Sequence, residues 1–372
     1  MTEYFETIVI GGGQAGLSVG YHLAQRDRSF VILEANDKIG DNWRERFDSL
    51  RLFSPARYDG LPGWPFPMDG WDFPTKDEMA DYLEAYAHRF ELPVITGVSV
   101  DRIRCEGDRY VVRAGAHRFE ADNVVVASGT FQEPIVPEFA SELDPAILQM
   151  HSSDYRNPSQ LQDGPVLVVG AAHSGADIAL DVSSGHETVL AGKVNGELPF
   201  AFESRVARVV LPVMWFVANH VLTTRTPLGR KARGHVRSHG GPLLRVKRAH
   251  LLEAGVERTE ARVEGVRDGR PVLADGRVLE VANVIWCTGF GKDVSWIDSV
   301  VTGADGWPEQ TRGVVESSPG LYFAGLPFLD SFASMLVGGA GRDAERVVRH
   351  IASRERAVAP AQHESSAVLA RA

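Results

Sequence analysis

The sequence predicts an α/β protein made of two doubly wound, parallel-sheet units, the second set inside the first. Three observations predict it. A strand-like run, Thr7-Ile8-Val9-Ile10, enters a Gly-rich turn within the first sixteen residues. A second such run, Val166-Leu167-Val168-Val169, enters Gly170, which lies 159 residues after Gly11. An apolar strand pattern ending on Ala127-Ser128-Gly129-Thr130 returns as Cys287-Thr288-Gly289-Phe290, with 160 residues between Gly129 and Gly289. A near-constant offset over two separate motifs marks an internal repeat. Short apolar runs alternating with helical patterns are the mark of a parallel sheet.

The first turn carries the clearest chemistry. Gly11-x-Gly13-x-x-Gly16 opens a helix-compatible segment at 17–26, followed by a second apolar strand, Phe30–Leu33, that ends on Glu34. Strand, turn, helix, strand and acid together form the dinucleotide fingerprint. Gly11 makes the tight turn, Gly13 lets the backbone approach a pyrophosphate, and Gly16 lets the helix sit close on the strand. The N–H groups at Gln14 and Ala15 open the helix and face the phosphate oxygens. Glu34, eighteen residues after Gly16, is placed to hydrogen-bond a ribose.

The second turn, Gly170-Ala171-Ala172-His173-Ser174-Gly175, keeps the frame with two changes. Ala172 replaces the middle glycine, and its methyl group crowds the pyrophosphate approach. The following strand, Thr188–Ala191, ends on Gly192-Lys193 with no acid. A cation there suits a 2′-phosphate and favours NADPH over NADH; an ordinary surface lysine is the plainer alternative. His173 is either a loop residue or a phosphate contact. Two such units suggest one tightly held flavin, FAD at the first, and one exchanging nicotinamide at the second, arranged for hydride relay.

A third glycine-rich segment, 320–325 and then 338–343, opens a last helix and belongs again with the first unit. The expected fold is therefore two Rossmann-like dinucleotide-binding domains, the NADPH domain inserted in the FAD domain. The expected division is 1–158 with 286–358 for FAD, 159–285 for NADPH with an insertion at about 200–248, and a tail at 359–372.

Composition narrows the function classes. The chain has 372 residues, 44% hydrophobic and 24% charged, enough for two cored domains. A formal charge of −10 argues against a general nucleic-acid binder, which needs clustered positive charge. Two cysteines, Cys105 and Cys287, form no disulfide framework or metal spacing and fit a reducing compartment. The first strand starts within ten residues and no apolar run reaches bilayer length, so a cytoplasmic protein with no transmembrane segment is expected.

Between the repeats lie three further features. Residues 48–74 form a long irregular loop rich in Pro, Trp and Phe, a stiff apolar wall in which Arg51 and Arg57 could face a negative group; a plain covering loop is the alternative. Thr75-Lys76-Asp77-Glu78 reads as a capping box before a core helix with Met79, Tyr82, Leu83 and Tyr86 on one face. The apolar stretch 209–218, followed by a basic run through Arg225, Arg230, Lys231 and Arg233, reads first as a buried helix or a lid over a substrate tunnel. Peripheral membrane contact through 209–218 is the alternative.

Taken as a set, the two turns, Gly40-Asp41-Asn42-Trp43, Ser49-Leu50-Arg51-Leu52-Phe53-Ser54-Pro55, Ala127-Ser128-Gly129-Thr130, His151-Ser152-Ser153-Asp154-Tyr155 and Cys287-Thr288-Gly289-Phe290 resemble the flavin-containing monooxygenase family over roughly residues 5–350. The pattern is most similar to its smaller bacterial CzcO-like and plant YUCCA-type branches. The resemblance implies a single chain that binds FAD, oxidises NADPH, activates O2 as a flavin hydroperoxide and oxygenates a small organic substrate. On the FAD side it implies Gly11, Gly13, Gln14, Ala15, Gly16, Glu34, Asn42, Trp43, Val100, Ala127, Ser128, Gly129 and Gly325. On the NADPH side it implies Gly170, Ala172, His173, Ser174, Gly175, Lys193, Thr288 and Gly289.

The chain also departs from the family pattern. Only the second half of the family's FxGxxxHxxxY/F signature survives, His151 to Tyr155, with Pro145 and Ile147 where Phe and Gly are expected. Tyr155 is followed by Arg156 and not by the Trp-Pro pair of Baeyer–Villiger members, which points to heteroatom or carbon oxidation. The Asn that animal-type members carry in the loop is absent at Phe53-Ser54-Pro55-Ala56. Arg51 and Ser54 are the candidate catalytic groups facing the flavin, with Trp43 covering the ring and the last helix, opening at Arg342, aiming its positive end there. His151, in a linker, is expected first as a hinge hydrogen-bonder. The alternatives are an FAD-dependent reductase that passes electrons to a protein or small-molecule acceptor, and a non-catalytic nucleotide-binding module.

Overall fold

The computed structural model describes residues 2–298 and 300–368, with side chains described through Arg354. Strand β1 (Thr2–Ile10) leads into helix α1 (Gln14–Ala24) and β2 (Phe30–Leu33). The short α2 (Asp41–Arg44) and the long α3 (Lys76–Arg89) precede β3 (Val94–Ile95). A meander of β4 (Arg102–Glu106), β5 (Arg109–Ala114) and β6 (His117–Val126) completes the first pass. The strands assemble in the order β3-β2-β1-β6-β5-β4, parallel from β3 to β6 and antiparallel in the meander. Helix α3 starts at the expected box: Glu78 N donates to Thr75 Oγ1 at 3.2 Å, and Thr75 N donates back to Glu78 Oε2 at 2.8 Å. Its Met79, Tyr82, Leu83 and Tyr86 are buried in the first core beside Leu17, Val19 and Leu23 of α1.

The second sheet is parallel throughout. It holds β7 (Leu148–His151), β8 (Val166–Val169), β9 (Thr188–Ala191), β10 (Glu257–Thr259) and β13 (Asn283–Trp286), in the order β10-β9-β8-β13-β7. Helix α4 (His173–Val182) links β8 to β9, as α1 links β1 to β2. Between β9 and β10 run α5 (Arg205–Phe216), a π-turn (Val217–Val221), α6 (Pro227–Ser238) and α7 (Arg248–Glu253). A separate hairpin, β11 (Val263–Arg267) with β12 (Arg270–Leu273), precedes β13. The chain then returns to the first sheet: β14 (Leu321–Phe323) pairs with β6 at Val124–Val126, and α8 (Ala340–Val368) packs against α1.

Three details differ from expectation. The 158/159 division falls between two strands of one sheet, because β7 pairs in register with β13 from Leu148↔Asn283 to His151↔Trp286. Residues 359–368, read as a tail, continue α8; 369–372 lie outside the described residues. The last helix also opens at Ala340, two residues before Arg342.

Candidate functional site

The two turns share one backbone construction. Gly11 has φ +103° and Gly170 φ +107°, where L side chains are strained. Gly11 N donates to Leu33 O and Gly170 N to Ala191 O, both at 2.8 Å. A Cβ on Gly16 would stand 1.8 Å from Gly11 O, and one on Gly175 1.7 Å from Gly170 O. Those two positions are glycine because helix and strand touch there.

Gly13 is glycine for a different reason. Its φ of −77° is ordinary, and a Cβ there would meet nothing nearer than Asn42 Nδ2 at 3.7 Å. The protein itself has no need of glycine at this position; the space a side chain would take is the space a pyrophosphate needs. Helix α1 has no side-chain cap and no acid in its first turn, so its N-terminal N–H groups stay available to an anion. Trp43 Nε1, on the adjoining α2, is buried without a partner. Glu34 is buried and oriented: Oε2 accepts from Gly12 N at 2.6 Å, and Oε1 accepts from the Asn36 backbone and side-chain amides at 2.9 and 2.7 Å. Ala127 lies under the turn, its carbonyl 2.6 Å from a Cβ placed on Gly11, and Gly325 abuts Ala15. Val100 packs on the second core cluster, two residues past Val98, whose N–H donates to Glu34 O. These residues fit an adenine dinucleotide.

The second turn carries a cover. A Cβ on Gly240 would lie 2.8 Å from the Ala172 methyl, and one on Gly241 2.7 Å from His173 Nε2. The segment after α6 thus rests on the opening of α4, held by Asn195 Nδ2 donating to Gly240 O at 2.8 Å. His173 bonds the backbone of Pro242, Phe53 stands 5.8 Å away ring to ring, and burial lowers the imidazole pKa. Its Nε2 is buried without a partner. Ser174 is exposed beside it, and α4, like α1, has no side-chain cap. Lys193 is exposed one residue past Gly192, whose backbone lies against Gly170 and Ala171. Among the described residues no ion pair engages it. The donor set is of the kind a nucleotide needs, with 240–242 lying over its approach.

The exits of the equivalent strands β6 and β13 meet. Gly129 (φ +77°) and Gly289 (φ +86°) each end a strand with open space around them. Ile135 N donates to Gly289 O at 3.0 Å, Thr288 Oγ1 donates to Ile135 O, and Phe131 stands edge-on to Phe290 at 5.2 Å. His151 adds a third tie. Ser153 N donates to its Nδ1 at 3.2 Å, which leaves Nε2–H to donate to Gly289 O at 3.1 Å. It is 3% exposed, and burial lowers its pKa. This neutral histidine hydrogen-bonds as expected, but it does so from β7 to the exit of β13 within the second sheet, not from a linker.

The two candidate catalytic residues sit apart in function. Arg51 is exposed and its Nη1 donates to Phe73 O at 3.0 Å, bracing the aromatic loop. Ser54 Oγ donates to Asp59 Oδ1 at 2.6 Å. Sequence reasoning missed Asp59, which is 1% exposed, with Oδ2 unpartnered and its pKa pushed up to about 7 by burial against the Ser54 hydrogen bond. A carboxyl in that state holds or releases a proton near neutrality. The cover at Gly240-Gly241-Pro242 was also missed; its turn chemistry is readable, but its place over α4 is not.

The family profile described as pyridine nucleotide-disulphide oxidoreductase matches residues 8–206. The chain belongs to the pyridine nucleotide-disulphide oxidoreductase family. Its similar proteins include uncharacterized oxidoreductases and flavin monooxygenases. A Geobacillus kaustophilus protein named an uncharacterized CzcO-like oxidoreductase is 39% identical over 94% of this chain and 99% of its own length. The Arabidopsis thaliana protein named probable indole-3-pyruvate monooxygenase YUCCA7 is 30% identical over 93% of this chain and 87% of its own. A solved flavin-containing monooxygenase from Stenotrophomonas maltophilia superposes with a TM-score of 0.72 at 28% identity, covering 95% of this chain and 99% of that one. This oxidoreductase therefore shares its two-domain arrangement with the flavin monooxygenases.

Proposed function

We propose that this oxidoreductase is an NADPH-dependent flavin monooxygenase, with FAD at the first turn, NADPH at the second, and O2 and a small organic molecule as co-substrates. The observation that carries the reading is the pair of congruent turns whose partner strands end against each other at Gly129 and Gly289. Two dinucleotides bound at those turns would bring their reactive ends to one cleft. A flavin held there supplies two-electron storage between a nicotinamide donor and O2. Gly13, Gln14 and Ala15 would hold the pyrophosphate, Glu34 the ribose, and Asn42 and Trp43 the flank. At the second turn Ala172, His173 and Ser174 would receive the nucleotide, and Lys193 its 2′-phosphate. Thr288 and Gly289 would meet its nicotinamide end. Ser54 and Arg51 are the polar groups offered from the aromatic loop, Ser54 backed by the proton that Asp59 holds. The monooxygenase names of YUCCA7 and the Stenotrophomonas protein support oxygenation over electron export. The Tyr155-Arg156 pair supports heteroatom or carbon oxidation over Baeyer–Villiger insertion.

Rapid mixing of the NADPH-reduced protein with oxygenated buffer tests the reading. A transient flavin spectrum distinct from the oxidised and reduced forms is expected. Single-phase reoxidation, with turnover only when an electron-accepting protein is added, would overturn it in favour of a reductase.

A further inference from the structure

Helix α5 is apolar on two sides, and among the described residues only one of them has a partner. Its inner side buries Ala207 and Leu211 in a cluster with Phe202, against Tyr58, Trp71 and Phe73 of the aromatic loop. Trp215 lies over Tyr58 at 4.9 Å, ring to ring. The outer side carries Val206, Val209, Val213 and Phe216, spaced by three and four residues and so on one face. They are 56%, 72%, 61% and 59% exposed. A surface helix ordinarily puts polar residues there.

The charge along this segment is predominantly positive, with Glu203, just before it, paired to Arg245. Residues 204–252 contain ten Arg and Lys and no Asp or Glu, in a chain of net −10, so the rest of the chain carries −20. Arg205 and Arg208 immediately precede two stripe residues and are exposed, as are Arg230 and Lys231 on α6. Leu228, also on α6, is 55% exposed. An outward apolar stripe within a predominantly basic segment is the make-up of a helix that lies in the plane of an anionic bilayer.

We propose that α5, with the basic opening of α6, docks this protein on an anionic lipid surface. The stripe inserts among the acyl-chain boundaries, and the arginines and Lys231 meet the lipid phosphates. The inner side of α5 meanwhile keeps its hold on the aromatic loop. A cleft of about 380 Å³, lined by Arg57, Tyr58, Trp64, Pro65, Trp215 and Gly338, would then open beside the membrane. The proposal stands whether or not the oxygenase reading holds.

Co-sedimentation of the purified, flavin-loaded protein with vesicles tests it. Binding is expected to phosphatidylglycerol–phosphatidylcholine vesicles and not to phosphatidylcholine alone, and to weaken as salt rises. Val209→Glu with Val213→Glu should lower partitioning at least tenfold, and Arg230→Glu with Lys231→Glu severalfold. Both pairs are exposed, and unchanged circular dichroism and melting temperature would confirm folding. Wild-type protein left in the supernatant with anionic vesicles would overturn the proposal, as would full binding by the Val209/Val213 variant. So would a lipid-free dimer in sedimentation velocity that the Val209/Val213 variant abolishes, which would assign the stripe to a second copy.

Discussion

Over the first fingerprint turn a side chain at Gly13 would meet only Asn42 Nδ2 at 3.7 Å; over the second, the Ala172 methyl and the His173 ring already lie beneath Gly240 and Gly241. The backbones beneath are superposable in kind, with the same positive φ, the same strand hydrogen bond and the same helix-on-strand contact. What differs is the approach. An open cradle with an oriented acid suits a group that stays. On the function proposed above, a turn under a segment of the chain's own insertion would suit one that comes and goes, because 240–242 lies over the approach.

The comparison can be broken at its common base first. Gly16→Ala and Gly175→Ala each drive a methyl into a backbone carbonyl and should each cost more than about 4 kcal/mol, read as loss of soluble protein or collapse of the thermal transition. If either variant folded normally, the shared construction would not be what holds the turns.

Gly13→Ala separates cradle from fold. It should cost no more than about 1 kcal/mol of stability at a helix N-cap yet leave the purified protein nearly free of flavin, measured by absorbance. Full flavin content would remove the first site.

A third test concerns the loop beside the first site. The Asp59 pKa is raised in the folded protein from an unfolded value of 3.8 to about 7. The folded state therefore binds the proton more tightly, and the stability this group contributes is greatest below pH 4. It falls as pH rises through that window, by up to about 4 kcal/mol, and levels off above it. Asp59→Asn should flatten this slope in denaturant titrations run at pH 5 and pH 8. Identical slopes in variant and wild type would mean that Asp59 is not held protonated.

Smaller effects belong to the second turn. Lys193→Ala should raise KM for NADPH about tenfold, or roughly 1.4 kcal/mol, and change that for NADH less than about twofold. Equal changes would end the 2′-phosphate role. Ala172→Gly should tighten nucleotide binding about threefold by relieving the crowding, with flavin content untouched; calorimetry showing no gain would mean that 240–242, and not the methyl, limits access.

Much of this was legible in the sequence because steric necessity leaves a glycine behind. Gly11, Gly16, Gly170 and Gly175 cannot carry a Cβ, so their spacing announces both turns, and the last four residues of β1 and all of β8, which lead into them, are buried. The capping box of α3 was readable for a similar reason, being a local bond pattern. The stretch 209–218 was not. It was expected first as a buried helix, yet Val209 and Val213 face out while Leu211 and Ala218 face in. A run apolar on every side carries no mark of which side has a partner. Asp59 was illegible because its burial is made by elements distant in sequence: Tyr82 on α3 donates from its hydroxyl to Trp64 O, and Gly338 abuts Tyr58. The membership of β7 was hidden likewise, since four residues of mixed character state no sheet of their own.

The return of β14 to β6 also bears on how the chain is made. Leu321 pairs with Val124 across 197 residues, whereas every strand of the second sheet lies between Leu148 and Trp286. On a ribosome the inner sheet has all its strands before β14 and α8 emerge, so the unit interrupted by the insertion must wait for the one that interrupts it. A nascent chain stalled once Trp286 has cleared the ribosome, and before Leu321 has, should already protect the inner sheet from protease, while β6 remains open along the side where β14 will dock.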